Sequence, residues 1–594
     1  MKIKVADYVV KFLEKKSISH VFMVTGGGAM FLNDAVAKSN KIKGIFNHHE
    51  QASAMAALGY SKVDNETAIV MPTTGCGATN TITGLLDAWQ DSNKLVFISG
   101  NVKYKETTHE LELPLRKLGV QEADIISIVK PITKYAKMLN NPLDIKRVLE
   151  EAFYECENGR PGPVWIDIPM DIQAAIIEEN ELLGFKNDSG EKKKINFAIL
   201  KEYLKKSERP IVLAGYGIHL SNTRFKLFKF LKKRNIPAVF TYGGTDLIPY
   251  EDDLHIGKIG IKGDRPGNFA LQNSDLIIVL GSSLSIPVIG YEYELFGRDS
   301  KIICVDIDQN EHKKKTIRPD EIFNCDLNDF FDYSIQNIDF YGRDEWINKC
   351  NYWKTKWPVF QKDYLDTSDG INMYLILEKI NEFSDENSIV VSDAGSSLYV
   401  TSQSIKIKKH QRHIASLAQA DMGFTLPCSI GASIKKPNST IIGITGDGSF
   451  QMNIQELQTI VNYNLNIKTF VLNNGGYLSI RNTIDKFFEG RHLGTDKFTG
   501  LGFPELNKIA YAYGIKFFSL KTTDDMNENL GEILKYKGPV LVEIICPFKQ
   551  EIIPTLSSKK TAEGVLISQP LDNMYPFLEE QEYKNEMINK PFIK

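Results

Sequence analysis

Residues 439–449 read STIIGITGDGS and residues 467–476 read IKTFVLNNGG. Each is a short, almost unbroken apolar run ending in Gly, Asp or Asn, which suits a strand buried on both faces of a parallel sheet. In an open parallel sheet, ligands gather beyond the carboxyl ends of the strands. Asp447 and, 27 residues later, Asn474 fall at such ends, and two neighbouring strands would bring both within reach of one ion. The Asp447 carboxylate, the Asn474 amide and the Gly476 carbonyl are hard oxygen donors. Two diphosphate oxygens and a water would complete an octahedron around Mg²⁺. Gly446 and Gly448 leave the backbone bare where a phosphate approaches, and NIQELQTIVNYN (453–464) is expected to form a helix whose N-terminus faces the same anion. Either half alone reads as an ordinary turn. Together, each closing a strand, they predict a diphosphate and metal site. A dinucleotide site is the competing reading, but neither TGGGAM (25–30) nor GYGIHL (215–220) completes G-x-G-x-x-G.

Similar runs recur along the chain. HVFMVTGG (20–27), TAIVMPTTG (67–75), KLVFISGN (94–101) and PVWIDIP (163–169) form a first series. RPIVLAGYG (209–217), IPAVFTYGG (236–244), DLIIVLGSS (275–283) and KIICVDID (301–308) form a second. SIVVSDAGS (388–396) and PVLVEIICP (539–547) complete the third with the two runs quoted first. Helical patterns separate them, so the layering is α/β. The fold class is three successive doubly wound parallel-sheet domains, with units over 1–180, 195–335 and 365–555 and an acidic, Pro-punctuated arm over 556–594 that is expected to wrap the surface. The segment 183–197 reads as a linker, and a polar region falls near 340–370. The Lys runs at 192–194 and 313–315 read as solvated loop charge.

With 594 residues, 71 Lys+Arg and 74 Asp+Glu, the net charge is -3, which offers no basic footprint for nucleic acid or an anionic membrane. Small-molecule substrates are the expected partners. The N-terminal MKIKVADYVVKFLEKK has an amphipathic helix pattern rather than that of a signal peptide, and no stretch approaches the ~18 apolar residues of a membrane span. The seven Cys are scattered without metal-type spacing and read as reduced, mostly buried thiols. A cytoplasmic location is the expectation.

Glu50, in Phe46-Asn47-His48-His49-Glu50-Gln51, stands where a short apolar strand turns into the helical stretch ASAMAALGYSK. A carboxylate at that junction is expected to be partly desolvated, which favours its protonated form and lets it share a proton with a ring nitrogen. Taken alone, a Glu in the first turn of a helix is ordinary capping.

The stretch GDGSFQMNIQELQTIVNYNLNIKTFVLNNGGY (446–477) resembles the thiamine-diphosphate motif of the thiamine-dependent decarboxylases and carboligases, especially the acetolactate synthase branch. NHHEQASAMAALGYSKV (47–63), TTGCGATNTITGLLDAW (73–89) and GRPGPVWIDIPMDIQ (159–173) extend the resemblance over almost the whole chain. It implies pyrimidine-binding, central and diphosphate-binding domains in that order, with active sites shared between the subunits of a homo-oligomer, at least a dimer. It assigns thiamine diphosphate and Mg²⁺ as cofactors, and Glu50 to N1′ of the aminopyrimidine. Gln121 matches an active-site glutamine; His48 and His49 stand between contacting substrate and simply packing. Met422 matches the bulky side chain that props the bent cofactor, and Ala420 the carbonyl that meets its amino group. Ala394, Gly395, Ser396 and Ser397 are expected to cradle the diphosphate together with Gly446, Gly448, Ser449, Asn474 and Gly476. Asp447, Asn474 and Gly476 would hold the metal.

Two departures bear on chemistry. Where that branch carries an Arg-Phe-Asp-Asp-Arg stretch that helps hold FAD, this chain has Gly281-Ser282-Ser283-Leu284-Ser285-Ile286. Gly215, Gly217 and GIKGDRPGNFA (260–270) keep a nucleotide site open, so FAD stays an open expectation. Where the branch carries an acceptor-selecting Trp, the chain has Asn482-Thr483-Ile484, and Val120 replaces a pocket Phe. Loss of two aromatic walls predicts a bulkier or more hydroxylated acceptor than pyruvate, such as a ketosugar, including one carried on a nucleotide. The expected reaction is decarboxylation of a 2-oxo acid, pyruvate foremost, with transfer of the acyl unit to a second carbonyl. Acetolactate synthesis itself, simple decarboxylation and a catalytically inactive regulatory paralogue are the alternatives.

Overall fold

A computed structural model describes residues 1–111, 113–187, 195–365, 368–560 and 566–593. The apolar runs form three six-stranded sheets, parallel throughout. The first holds β1 (His20–Met23), β2 (Lys43–Phe46), β3 (Ala68–Val70), β4 (Leu95–Asn101), β5 (Tyr135–Met138) and β6 (Val164–Pro169), in the order β2-β1-β3-β4-β6-β5. The second holds β7 (Pro210–Ala214), β8 (Ala238–Phe240), β9 (His255–Lys258), β10 (Leu276–Leu280), β11 (Lys301–Asp306) and β12 (Glu321–Asn324), in the order β9-β8-β7-β10-β11-β12. The third holds β13 (Ile389–Ser392), β14 (Arg412–Ala415), β15 (Ile441–Gly446), β16 (Ile467–Asn473), β17 (Lys516–Leu520) and β18 (Val540–Ile545), in the order β14-β13-β15-β16-β18-β17. Burial on both faces explains the lack of polar alternation: every residue of β4, β6, β7 and β10 is buried.

The first and third units are joined by helix packing at close range. Helix Glu50–Asp64 lies on helix Thr425–Lys435. Gly59 and Gly431 make this approach: a Cβ on Gly59 would collide with the Cys428 carbonyl, and one on Gly431 with that of Ala56. Arg412 draws in all three units. It pairs with Asp246 of the second at 2.6 Å and donates to the carbonyls of Lys62 and Val63 in the first.

The arm is sealed into the second unit rather than laid over the surface. Leu571, Met574 and Tyr583 are buried, and Asp572 takes a bidentate pair from Arg298 at 2.9 and 3.0 Å. Glu586 accepts from Lys349, Tyr352, Trp353 and Lys356. All four lie on helix Asp344–Lys356, within the region read as polar, which turns Trp346, Cys350 and Trp353 inward. The Lys192–Lys194 run and the middle of the linker lie outside the described residues. Among the described residues, no helix is long and apolar enough to cross a membrane. Six of the seven cysteines are buried and unpaired, and Cys76 is exposed.

Candidate active site

In the third sheet β15 and β16 are neighbours in register, so Gly446 sits beside Leu472 and their following loops meet. Gly476 N donates to Asp447 Oδ2 at 2.9 Å, and Gly448 N to Asp447 Oδ1 at 2.7 Å. Asp447 is buried, and that burial pushes its pKa up to about 6 against these hydrogen bonds. Asn474 is buried beside it, its carbonyl accepting from Arg481 Nη2 at 3.0 Å and its amide oxygen from the same nitrogen at 3.3 Å. The helix after the strand begins at Asp447 and runs to Gln451, and a second covers Glu456–Asn462. The helical dipole therefore starts at the metal-type loop itself, before the stretch read as helix from sequence.

The glycines of this loop divide by cause. A Cβ on Gly448 would strike the Tyr477 ring, and one on Gly476, at φ +143, would strike the Thr495 carbonyl. A Cβ on Gly446 would meet no protein atom within 4 Å. Fold packing thus accounts for two of them, while the third faces clear space at the strand end, where a diphosphate fits. One carboxylate, one amide and backbone carbonyls also suit Mg²⁺ completed by ligand oxygens; among the described residues no cluster of three His, Cys, Asp or Glu forms a metal centre.

Asp393, which sequence reasoning passed over, organises the cradle. Fully buried at the end of β13, it accepts from Ala394 N, Ser397 Oγ, Thr445 Oγ1 and Ser449 Oγ. The hydroxyls of Ser397 and Ser449 are therefore turned inward, onto the Asp393 carboxylate. Ala394, Gly395 and Ser396 are half-buried, and Gly395 takes φ +57. Ser396 Oγ lies 3.2 Å from Ser479 Oγ, which brings Ser479, another residue not foreseen, to the cradle. The signal for Asp393 was present as a strand-terminal Asp in SIVVSDAGS.

After β14 the chain forms a strap toward helix Thr425–Lys435. Ala420 sits at φ +53 and Met422 is half-buried rather than absorbed into the core. A buried ion cluster of the first unit fixes the strap. Asp91 accepts from Leu417 N and Ala418 N, both at 3.0 Å, and from Lys62 at 2.6 Å, while Lys62 also donates to Ala415 O.

Glu50 opens its helix, with His49 as N-cap accepting from Gln51 N. Glu50 is half-buried, Asn80 Nδ2 donates to its Oε2 at 3.0 Å, and a Cβ on Gly77 would lie 3.4 Å from its Oε1. His48 is exposed; its backbone N–H and Asn47 Nδ2 bond to Glu456 of the third unit. Gln121 is exposed at φ +60, its carbonyl against Gly75. Within one chain a hydrogen-bonded path links the halves: Asn453 Nδ2 donates to Gln51 Oε1 at 3.3 Å and to Gly423 O at 2.9 Å, and Gly423 N to Ser449 Oγ at 2.7 Å. Among the described residues, no hydrogen bond joins the Glu50 carboxylate itself to the 446–476 loops.

A cleft of about 340 Å³ lies at the carboxyl ends of the second sheet, lined by Gly217, Gly281, Ser282, Asp306 and Arg160, with Leu417 of the strap as one wall. Gly215 and Gly217 are required by the backbone of Gly281 and Ser282 packed against them. Arg160 pairs with Glu311 and Asp308, and Lys314 with Glu311 and the Ser283 carbonyl. The segment 260–270 does not line this cleft: Asp264 caps helix Arg265–Asn273, and Arg265 donates to Met574 O and Pro576 O of the arm. Arg160, at the rim of this cleft, is thus already engaged by two carboxylates.

Family models describe three parts of the chain: the N-terminal TPP binding domain of thiamine pyrophosphate enzymes over residues 3–128, their central domain over 198–332 and their C-terminal TPP binding domain over 393–544. The chloroplastic acetolactate synthase of Arabidopsis thaliana is 30% identical over 583 residues, covering 95% of this chain and 84% of that protein. The acetolactate synthase large subunit of Lactococcus lactis is 30% identical over 559 residues, covering 93% and 94%. The isozyme 1 large subunit of Escherichia coli is 29% identical over 554 residues, covering 92% and 95%. With its three sheets and the loops at their strand ends, the chain belongs to the thiamine pyrophosphate enzymes, of the acetolactate synthase kind.

Proposed function

We propose that the protein decarboxylates a short 2-oxo acid, pyruvate foremost, and transfers the two-carbon acyl unit to the carbonyl of a second substrate, a ketosugar or its nucleotide-carried form. The observation that carries the cofactor half of this reading is the joined pair of loops, with Asp447 tied to Gly476 and clear space over Gly446. Asp447, Asn474 and the Gly476 carbonyl would hold Mg²⁺, and Gly395, Ser396 and Gly446 would meet the diphosphate. When bound, thiamine diphosphate supplies the carbon nucleophile and the electron sink that decarboxylation of a 2-oxo acid needs. Glu50 is suited to hold and exchange a proton at the aminopyrimidine N1′, with Asn80 fixing the carboxyl group's orientation. Met422 and the Ala420 carbonyl would hold the cofactor's bend, and the Lys62–Asp91 cluster keeps their strap in place.

The acceptor half rests on the helix Leu478–Phe487. Asn482 is tied to Gln550 O and Ile484 is buried, so Thr483 is the member of the triplet left exposed, on the same face as Ser479 and Ile480. Val120 is 79% exposed. Small and hydroxylated side chains here supply room and hydrogen-bonding capacity. The apolar residues left exposed near both halves, among them Phe46, Leu118, Val120, Ile480 and Phe487, support a second copy of the chain covering them and completing each site. The central-sheet cleft supports FAD by its position rather than by its charge.

The test is product analysis. Purified protein with thiamine diphosphate, Mg²⁺ and pyruvate should release CO₂ faster when a ketosugar or nucleotide-linked ketosugar is added, and should form a branched sugar product. Efficient conversion of pyruvate alone to acetolactate, with sugars ignored, would overturn the acceptor assignment. Absence of turnover on every 2-oxo acid would overturn the catalytic one.

A further inference from the structure

The loop that carries Gln121 is closed by a residue the site assignment does not use. Both oxygens of Glu122 are doubly engaged: Oε1 accepts from Thr108 N at 2.5 Å and Thr108 Oγ1 at 2.9 Å, and Oε2 from Leu118 N at 2.7 Å and Gly119 N at 3.0 Å. Although partial burial acts the other way, these four donors hold its pKa below the usual carboxylate range. The carboxylate thus ties the start of helix Thr108–Leu111 to the turn before Gln121.

The neighbours explain what this staple is for. Gln121 adopts φ +60, a left-handed conformation that residues with side chains seldom take unless held there. Its carbonyl packs onto Gly75, itself at φ +63, where a Cβ would collide with it. Two residues on, Gly77 borders the Glu50 carboxylate. Gly119 is equally constrained, since a Cβ there would press on Val102 and the Glu106 carbonyl. The loop 113–122 is therefore seated against the turn beside Glu50 by a glycine on each side, and Glu122 supplies the directional bonds that lock it.

Resting on the reading of Gln121 as a residue that meets substrate, we infer that Glu122 is a positioning residue for the reaction, setting the backbone conformation from which Gln121 reaches the site beside Glu50. Its own carboxylate is spent on the loop.

The experiment is a double-mutant cycle on the holoenzyme, with thiamine diphosphate and Mg²⁺ present and CO₂ release from pyruvate as the assay. Gln121→Ala, Glu122→Ala, Glu122→Gln and the double alanine variant are compared for kcat, KM and Tm. Hydrogen exchange at the Leu118 and Gly119 amides is followed alongside. The expected result is a loss of at least tenfold in kcat/KM for Glu122→Ala, and a double variant no worse than Gln121→Ala alone. Exchange at the two amides should accelerate while Tm stays close to wild type. Glu122→Gln, which keeps the side-chain length and one acceptor oxygen, should fall between; it also serves if the alanine variant fails to fold. Impaired Gln121→Ala alongside unimpaired Glu122 variants would overturn this inference alone, as would losses that multiply in the double variant. A fully active Gln121→Ala would overturn the reading of Gln121 and this inference with it.

Discussion

The first and third sheets have one topology: numbered within each sheet, both run 2-1-3-4-6-5, whereas the second runs 3-2-1-4-5-6. Matching strand ends carry different chemistry. After β3 come Thr73, Thr74 and a glycine turn, whereas its counterpart β15 ends at Gly446 and is followed by Asp447 and Gly448. After the edge strand β2 comes Glu50, and after its counterpart β14 the strap with Ala420 and Met422. The matching helices, Glu50–Asp64 and Thr425–Lys435, pack on each other through Gly59 and Gly431. One scaffold used twice thus presents, in the function proposed, the carboxyl group assigned to proton exchange at one sheet and the donors assigned to the diphosphate and metal at the other. The lesson is that buried apolar runs set the architecture, while a few residues past the strand ends set the chemistry.

If that division of labour holds, damage to the two halves should look different. Glu50→Gln should lower kcat by about 10²–10⁴-fold, the usual worth of a positioned proton-transfer group, with thiamine diphosphate still bound; steady-state CO₂ release checks this. Lys62→Met should instead attack the seam. The Lys62 ammonium is buried, yet Asp87 and Asp91 outweigh the burial and raise its pKa. Removing it strands two buried carboxylates, at a cost of ~3–5 kcal/mol, read from denaturant unfolding. Gly431→Ala, which drives a methyl group into the Ala56 carbonyl, should cost about 1–3 kcal/mol by overpacking and loosen the first unit from the third in hydrogen exchange.

The arm lies outside the comparison. Burial acts against the Glu586 carboxylate, but hydrogen bonds from Lys349, Lys356, Trp353 and Tyr352 bring its pKa down to about 2. A carboxyl group depressed on folding contributes its stability above the unfolded value near ~4.3 and loses it as pH falls toward the folded value. Glu586→Gln should therefore destabilise by ~1–3 kcal/mol at neutral pH, and the gap to wild type should close as pH is lowered from 5 toward 3. A gap independent of pH would show that the charge is not what the arm uses.

The three sheets and the loops at 446–449 and 474–476 were legible in the sequence because strand burial and strand-end glycines are local patterns. The inward turn of Ser397 and Ser449 was not, because it depends on Asp393 meeting a serine 56 residues away in the chain. Asn453 and Glu456 likewise sit in an unremarkable helical stretch and gain meaning only from their bonds to Gln51, Asn47 and His48 across the domain seam. The arm read as a surface wrap because its acidic residues find their partners, Arg298, Lys349 and Lys356, more than 200 positions earlier. Glycine spacing suggested a nucleotide at Gly215 and Gly217, where backbone packing already explains the glycines.

The most direct test of the division between the two sheets is calorimetric titration of thiamine diphosphate with Mg²⁺ into wild type, Asp447→Ala and Glu50→Gln, each paired with CO₂ release from pyruvate. The account predicts that Asp447→Ala loses binding of the diphosphate and metal, whereas Glu50→Gln binds with near wild-type affinity and does not turn over. Tight binding by Asp447→Ala, or wild-type turnover by Glu50→Gln, would contradict it.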